Sequence, residues 1–341
     1  MNKRTALSLL CLSATVGLAL TACDTIMPKG EPKSDNAAYP TAHVGVSVSS
    51  IATNPFFQAM NQSFKDVGTE QPSLTLELTS ADNDEALQLQ QLDDMVKKGA
   101  KALVVNLVSV KTGAEVTDKY CKQNIPVVYF NRSPGDKNLA GCQTAYFVDG
   151  DAAQAGVLQG LKVLSLWKEN PNWDKNKDGK IQFAILQGIP GHAGSEARTK
   201  WVIGTMQNYP NLGQPVESLF QDHAMFQRQK AQEIVQTWIA DPNFQNVEVI
   251  LANNDTMALG IIDALKAASI KLPVFGIDGS AEALKAVQSG DMQATVLNDA
   301  NNQARTALRL AANLAAGVEP LSGIPYKMEY RVINVPYQEI N

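Results

Sequence analysis

Short apolar segments alternate with longer segments of helical character along most of this 341-residue chain, and no other feature constrains its fold more. The apolar segments are nearly continuous, which is typical of strands that are covered on both faces. Strand–helix alternation of this kind predicts an α/β fold with parallel sheets and helices on both faces. The number of elements predicts two Rossmann-like, doubly wound lobes instead of one very wide sheet.

The predicted elements begin near residue 43. Because α/β sheets bind ligands outside the carboxyl ends of their strands, the residues that follow each strand form the candidate site. Predicted strands cover residues 44–48, 74–78, 102–107, 126–130, 145–148, 182–186, 216–220, 247–251, 274–277, 294–297 and 330–335. Predicted helices cover residues 55–67, 85–98, 112–123, 152–168, 195–208, 226–240, 257–268, 281–289 and 302–316.

Composition argues against several classes of function. Hydrophobic residues are 45% of the chain and charged residues 18%, a balance typical of a globular protein with a core. The chain has 29 Lys and Arg against 34 Asp and Glu, a net charge of −5 without a basic run, which argues against nucleic-acid binding. Three histidines and four cysteines argue against a Cys/His metal cluster.

The N-terminus has the pattern of an export signal. Lys3 and Arg4 precede an apolar run over residues 6–20, which is too short to span a bilayer. The run leads into the sequence L-T-A-C, which ends at Cys23 and is similar to the site at which bacterial lipoproteins are cleaved and lipidated. An ordinary cleavage site of the Ala-x-Ala type is the alternative.

We therefore predict a signal peptide over residues 1–22, a lipidated Cys23 and a tether containing Pro and Gly over residues 23–42. Asp24 resembles a signal for retention at the inner membrane, so we expect the protein in the cell envelope, on the periplasmic side, at the inner membrane more than the outer. An exported protein works in an oxidising compartment, away from cytosolic ATP and NAD.

Amides, carboxylates, aromatic rings and one arginine follow the predicted strands. Asn and Asp can hydrogen-bond two adjacent hydroxyls, Arg offers a rigid fork, and flat rings cover apolar C–H faces. This set predicts a binding site for a neutral polyol and lacks the nucleophile–base pair of an enzyme. Each Asn or Asp has an alternative role as a helix N-cap or turn residue.

Six stretches carry a resemblance to a known family. The folded part, about residues 43–338, resembles the periplasmic sugar-binding proteins of the ribose/galactose type, and more closely the galactose/glucose-binding group that serves ABC importers. The stretches are residues 126–131, 174–182, 188–199, 252–255, 274–278 and 295–303.

The resemblance implies a type I periplasmic binding protein, with two lobes joined by a three-segment hinge. The hinge segments are expected near residues 149–151, 298–300 and 333–334. The N-terminal lobe is then residues 43–150 plus 300–333, and the C-terminal lobe is residues 151–299 plus 334–341.

The resemblance also implies the sugar contacts. Phe56 and Phe226 stand where the family stacks rings on the two faces of the sugar, with Phe226 in place of a Trp. Asn54 and Gly194 stand where the galactose/glucose group has Asp, which leaves ribose or xylose as alternative ligands. The implied sugar-binding residues are Asn54, Phe56, Asn131, His192, Arg198, Phe226, Asn254, Asp278 and Asn298.

Residues 174–182 follow the pattern of an EF-hand calcium loop through its ninth position. Oxygen donors occupy positions 1, 3 and 5, a glycine is at position 6, and a backbone carbonyl serves at position 7. The twelfth position is Ile185, which cannot bind a metal, and the resemblance implies that Glu217 supplies that carboxylate. An Asx-rich surface turn is the alternative. The predicted ligands of a structural Ca²⁺ are Asp174, Asn176, Asp178, Lys180, Gln182 and Glu217.

Two cysteines remain once Cys11 leaves with the signal and Cys23 is lipidated. Cys121 and Cys142 are an even pair in an oxidising compartment, which favours a disulfide. Two buried free thiols are the alternative.

The resulting hypothesis is a monomeric lipoprotein that is not an enzyme. It binds a monosaccharide between its lobes, and glucose or galactose is the expected ligand. The resemblance implies delivery to the permease of an ABC importer. A sensor that presents the sugar to a chemoreceptor or a kinase is the alternative, since it would use the same cleft.

Overall fold

A computed structural model describes residues 38–51 and 54–340. The predicted signal peptide, Cys23 and most of the predicted tether lie outside the described residues. In the part of the chain that is described, no helix is long and apolar enough to cross a membrane.

Strands and helices alternate along the described chain, as the apolar pattern predicts. The strands are β1 (Ala42–Val48), β2 (Leu74–Ser80), β3 (Ala102–Val105), β4 (Val127–Phe130), β5 (Ala145–Gly150), β6 (Ile181–Gln187), β7 (Val216–His223), β8 (Val249–Ala252), β9 (Val274–Phe275), β10 (Val296–Leu297), β11 (Met328–Glu329), β12 (Val332–Val335) and β13 (Gln338–Glu339). The helices are α1 (Pro55–Glu70), α2 (Glu85–Lys97), α3 (Gly113–Cys121), α4 (Asp136–Gly141), α5 (Ala152–Glu169), α6 (Ala193–Asn208), α7 (Arg228–Ile239), α8 (Asp255–Ala267), α9 (Ala281–Gln288) and α10 (Ala300–Ala315).

The larger sheet has seven strands in the order β11-β12-β5-β4-β3-β1-β2. All neighbours are parallel except β11, which runs antiparallel to β12. Helix α10 packs across β1, β3, β4 and β5, where Leu308 joins Val44, Val46 and Phe130 in one buried core cluster. A helix from the C-terminal part of the chain therefore covers a sheet built mainly from the first half of the chain.

The second sheet has four parallel strands in the order β7-β6-β8-β9. Its β6 is buried along its whole length, as expected for a central strand covered on both faces. Parallel bridges from Phe275 to Ala294 and from Asp278 to Leu297 extend this edge. Strand β10 also pairs antiparallel with β13. The α/β class with parallel sheets and helices on both faces is confirmed.

The chain passes between the two sheets at three places. Strand β5 leads into α5 and the second sheet, β10 leads into α10 on the first sheet, and β12 of the first sheet leads to β13 beside β10. Gly150, at the end of the first passage, lies under the ring of Tyr337 in the third, since a Cβ on Gly150 would be 2.5 Å from Tyr337 Cε2. The first and third passages are therefore in direct contact.

Several short elements differ from the predicted ones. Helix α4 and strands β11 and β13 have no counterpart in the prediction, because elements of two to six residues are too short to show a period. Helix α7 begins at Arg228, not at residue 226, because Met225 and Phe226 have φ of 56° and 59°. This left-handed backbone cannot belong to a right-handed helix.

The folded region also begins earlier than residue 43. Tyr39 is buried, and its ring lies 3.7 Å from the guanidinium carbon of Arg309. The Tyr39 hydroxyl donates to the carbonyl of Arg305 at 3.1 Å. The last residues of the predicted tether are therefore packed against α10.

Cys121 and Cys142 form a disulfide, with their Cα atoms 5.9 Å apart. Cys121 ends α3, and Cys142 follows α4 beside buried Leu139 and Tyr120. Closing a loop of this length, with a sequence separation of 21, stabilises a fold by about 3 kcal/mol. Of the two states left open by the sequence, the structure has the disulfide.

Candidate functional site

The predicted sugar contacts lie at the carboxyl ends of strands in both sheets. Asn131 directly follows β4 of the first sheet, and Asn54 and Phe56 lie at the start of α1, which follows β1. In the second sheet, the loop after β6 carries His192, and Asn254 and Asp278 follow β8 and β9. The topology thus brings residues that are far apart in sequence to two sheet edges.

Asn54, His192 and Asn254 are the N-caps of α1, α6 and α8. The alternative role of a helix N-cap is therefore present in the structure. The Asn54 Oδ1 accepts the Phe56 N–H at 2.9 Å, and the Asn254 Oδ1 accepts the Met257 N–H at 3.1 Å. The cap uses the carbonyl half of each amide. The Nδ2 group, a hydrogen-bond donor, is the half that the cap does not use.

His192 caps α6 through its ring nitrogen. Its Nδ1 accepts the Ser195 N–H at 3.3 Å. Burial lowers the pKa of His192, and the nearby Arg198 and Arg132 charges lower it further. The imidazole is therefore neutral at pH 7, and because Nδ1 is an acceptor, Nε2 carries the proton and acts as a donor.

Arg198 is the central cation of the site. Its Nη1 donates to the Asn253 carbonyl at 2.6 Å and lies 3.7 Å from the Asp278 Oδ1. Its Nη2 donates to the Tyr337 hydroxyl at 2.8 Å. Burial alone lowers the pKa of Arg198, but Tyr337 and Asp278 outweigh this effect and raise the pKa above its usual value.

The Arg198 side chain also has one nitrogen that these contacts leave unused. Its Nε is buried and has no hydrogen-bond partner among the described residues. A buried donor without a partner costs about 1–3 kcal/mol. On a side chain whose two terminal nitrogens are already held, the Nε–H is the one group that a ligand acceptor could still satisfy.

Asp278 is held by amides and by Arg198. Asn298 Nδ2 donates to its Oδ1 at 3.3 Å, and the Asn254 side chain also bonds to it. Burial raises the pKa of Asp278, while the Arg198 guanidinium opposes the shift. The φ of Asp278 is 134°, a backbone conformation that non-glycine residues rarely adopt and that often occurs at functional sites.

Two rings of the second sheet stand edge to face. The centroids of His192 and Phe226 are 5.3 Å apart with an interplanar angle of 78°. The Phe226 ring lies against Gly188, where a Cβ would be 2.0 Å from the Phe226 Cζ. Glycine at position 188 is therefore required for the ring to occupy this place.

The structure keeps the two groups of residues apart. Within residues 38–51 and 54–340, no hydrogen bond, ion pair or ring contact joins Asn54, Phe56 or Asn131 to the site residues of the second sheet. Phe56 is buried and packs edge to face on Phe57, with the centroids 5.7 Å apart. Asn131 has a φ of 59° and precedes Arg132, which donates to the carbonyls of Leu107 and Val108.

Four residues of the site region were missed as contacts: the buried Asn253, Asp255 and Tyr337 and the half-buried Asp149. Asn253 accepts the Ser195 hydroxyl at 2.6 Å and so fixes the start of α6. Burial raises the pKa of Asp149 to about 7 and also raises the pKa of Asp255. Tyr337 follows the last predicted strand, so examining the residues after that strand would have found it.

The predicted calcium loop is closed by its own side chains. Asp174 accepts the N–H groups of Asp178 and Gly179 at 3.1 and 3.0 Å. Gln182 Nε2 donates to Asp178 Oδ2 at 2.8 Å, and Glu217 lies opposite Gln182 in the pairing of β6 with β7. The topology therefore brings the predicted ligand from β7 beside the loop.

Two observations bear on whether this loop fits a cation. The Gln182 Oε1 is buried and has no hydrogen-bond partner among the described residues. The Lys180 ammonium lies 3.9 Å from the Asp178 carboxylate and 3.7 Å from the Glu217 carboxylate, where a cation would bridge the two groups. In the described ranges, no three His, Cys, Asp or Glu side chains are already gathered as a metal site.

Comparisons with known proteins show which family the chain is similar to. Residues 44–319 match a family model described as "Periplasmic binding protein domain". The chain is 37% identical over 294 residues to the D-galactose/methyl-galactoside binding periplasmic protein MglB of Haemophilus influenzae, covering 86% of this chain and 88% of that protein. It is 28% identical to a xylitol-binding protein of Mycolicibacterium smegmatis, over 96% of this chain and 86% of that protein.

A solved structure shows the same fold. An ABC transporter solute-binding protein from Bacillus halodurans with bound myo-inositol matches with a TM-score of 0.71 and 25% identity, covering 89% of this chain and 96% of that chain. A periplasmic solute-binding protein from Actinobacillus succinogenes with bound D-allose has a TM-score of 0.73 at 22% identity, over 88% and 97% of the two chains.

The contact between Gly188 and Phe226 makes a prediction about stability. Gly188→Ala should destabilise the protein by about 1–3 kcal/mol, because the new methyl group overlaps the ring. Gly204→Ala is the matched control, since its Cβ would meet nothing within 4 Å and alanine favours the helix. Urea unfolding measures both. The penalty should shrink in a Phe226→Ala background, and equal stabilities of the two glycine variants would contradict the packing.

Proposed function

The chain belongs to the periplasmic binding protein domain family, and from this we propose that it captures a monosaccharide in the periplasm and delivers it to an ABC importer. It is a binding protein and not an enzyme. The observation that carries the proposal is the convergence of Arg198, Asp278, Asn254 and Asn298 on one sheet edge, with an unused buried donor among them. The relative at 37% identity is named for galactose binding.

The chemistry of the site suits a neutral, polyhydroxylated ring. Amide donors from Asn54 and Asn254, the Nε2 donor of His192 and the Asp278 acceptor can bond hydroxyls in different directions. The Phe226 ring can cover an apolar C–H face. The Arg198 cation is already paired with the Asp278 carboxylate, so an anionic ligand gains little from it.

Capture couples to movement of the lobes. In the described part of the chain, no hydrogen bond, ion pair or ring contact joins the first-sheet residues Asn54, Phe56 and Asn131 to the site residues of the second sheet. A sugar that bonds both groups therefore stabilises the arrangement in which they face each other, and its binding shifts the population toward the closed form. The importer's permease would recognise that form.

The ligand is proposed to be galactose or glucose, with ribose and xylose as alternatives. Asn54 presents an amide donor where a carboxylate would present an acceptor. Gly194 has no side chain, and a Cβ there would already lie 3.2 Å from the His192 Cε1. Both differences change the hydroxyl pattern that the site accepts, and buried polar groups discriminate strongly between such patterns. A sensor role would use the same cleft, and no described contact favours it over transport.

Isothermal titration tests the sugar proposal. D-galactose, D-glucose, D-ribose, D-xylose and L-arabinose are titrated into the wild-type protein, and we expect galactose or glucose to bind at least about tenfold more tightly than the pentoses, about 1.4 kcal/mol. Asp278→Asn should abolish binding, whereas Asp291→Asn, on a surface pair with Lys266, should not. Preference for a pentose would overturn the choice of hexose, and no heat with any of these sugars would overturn the proposal.

We also propose that the loop over residues 174–182 holds a structural Ca²⁺. The buried Gln182 Oε1 without a partner and the Lys180 ammonium between two carboxylates support this, because Ca²⁺ prefers six to eight oxygen ligands. The proposed ligands are Asp174, Asn176, Asp178, the Lys180 carbonyl, Gln182 and Glu217. The ion would join the loop to β7.

Metal removal tests the calcium site. EDTA should lower the melting temperature and Ca²⁺ should restore it, since saturating a site at 100 times its Kd stabilises a fold by about 2.7 kcal/mol. Glu217→Gln should weaken Ca²⁺ affinity by about tenfold or more, while Glu233→Gln on α7 should not change it. A melting temperature that EDTA leaves unchanged in the wild type would contradict the site.

We further propose that Cys23 carries the lipid anchor and that Asp24 retains the protein at the inner membrane; both lie outside the described residues. The support is the apolar run over residues 6–20 and the sequence L-T-A-C into which it leads and which ends at Cys23. In cells, the wild-type protein should sediment with inner-membrane vesicles, and Cys23→Ser should lose the lipid label. Cys11→Ser is the matched control, because it changes the signal peptide only. Equal lipid labelling of the Cys23→Ser protein would sink the proposal.

A further inference from the structure

Tyr337 lies at the third passage between the sheets. It is buried and sits between β12 and β13. Its ring covers Gly150, at the end of β5, and its backbone N–H donates to the Gln154 Oε1 at 2.8 Å in the first turn of α5. Tyr337 is therefore held against the end of β5 and the first turn of α5, which together form the first passage.

The Tyr337 hydroxyl reaches the site cation. It accepts the Arg198 Nη2 at 2.8 Å, and the guanidinium carbon lies 5.6 Å from the ring centroid. The other terminal nitrogen is bound to the Asn253 carbonyl and faces Asp278. With both terminal nitrogens held, the direction of the buried Arg198 Nε–H is determined.

The Tyr337 hydroxyl can accept this hydrogen bond over a wide pH range. Burial raises the pKa of Tyr337 to about 12, although the Arg198 charge opposes the shift. The phenol therefore remains neutral at physiological pH. A neutral hydroxyl accepts from the guanidinium without cancelling its charge.

We propose that Tyr337 is a positioning residue for ligand binding, which holds the Arg198 guanidinium so that its unpartnered Nε–H points to the ligand. This rests on the proposed sugar-binding function. Because Tyr337 is anchored on Gly150 and Gln154, the orientation of Arg198 is also tied to the passages that join the lobes. A ligand contact in one lobe thus depends on a residue of the connecting segments.

Tyr337→Phe tests the proposal because it keeps the ring on Gly150 and removes only the hydroxyl. Titration with D-galactose and D-glucose should show a loss of affinity of about 10- to 100-fold, as expected for a hydrogen bond to a charged group. Tyr330→Phe, at a residue that is 96% exposed in the same C-terminal segment, should bind like the wild type. Tyr330→Phe should keep the melting temperature of the wild type, whereas Tyr337→Phe should lower it by a few degrees, because the buried Arg198 Nη2 loses its acceptor.

A second measurement does not require a sugar. In protein labelled with ¹⁵N-arginine, the Arg198 Nε–Hε resonance, assigned by its loss in Arg198→Lys, should shift or broaden in Tyr337→Phe and not in Tyr330→Phe. An unchanged resonance would overturn the positioning role, whatever happens to affinity or melting temperature. If no sugar binds the wild-type protein, the sugar proposal fails, and the resonance still decides the role of Tyr337.

Discussion

A buried guanidinium organises the carboxyl edge of the second sheet, where the proposed ligand site lies. Arg198 is charged and almost enclosed, and a charge in that position must be paired and hydrogen-bonded to be tolerated. Its partners come from three places: the end of β8, the segment after β9 and the passage after β12. Each of those segments must therefore keep its position relative to α6, and the amides around Asp278 are held in the same network.

Helix caps give the site its second constraint. Asn54, His192 and Asn254 each satisfy a backbone N–H at the start of a helix. Capping and ligand binding are compatible because the cap uses one polar atom of the side chain. The other polar atom stays available for a ligand. Each cap uses an acceptor atom of the side chain and so leaves a donor group for the proposed site. The same residues thus stabilise the local fold and give the proposed site its polar groups.

Much of this arrangement was predictable from the sequence. Nearly continuous apolar strands such as the one at 182–186 require cover on both faces, which already specifies parallel α/β sheets. Since parallel strands align their carboxyl ends, residues as distant as Asn254 and Asp278 could be assigned to one edge without any contact information. The calcium prediction for the loop at 174–182 rests on the fixed local spacing that calcium ligands follow, and it stays a prediction.

Other features follow from no local pattern. Phe226 was predicted to start a helix, but its backbone is left-handed and its ring packs on Gly188, a residue 38 positions earlier. Tyr39 was assigned to the tether because its partner, Arg309, is distant in sequence. Strands of two residues, such as β11 and β13, depend on the partners that the fold supplies.

The sequence by itself determined the fold class and the chemical character of the residues at the strand ends, because periodicity and residue type express these locally; the export signal stays a prediction. The tertiary structure decided which polar atoms remain for a ligand, since this depends on the bonds already made to Asn54, His192 and Asn254. It also decided that Tyr337 meets Arg198. A contact between residues 139 positions apart results from three separate passages of the chain, and no local spacing contains it.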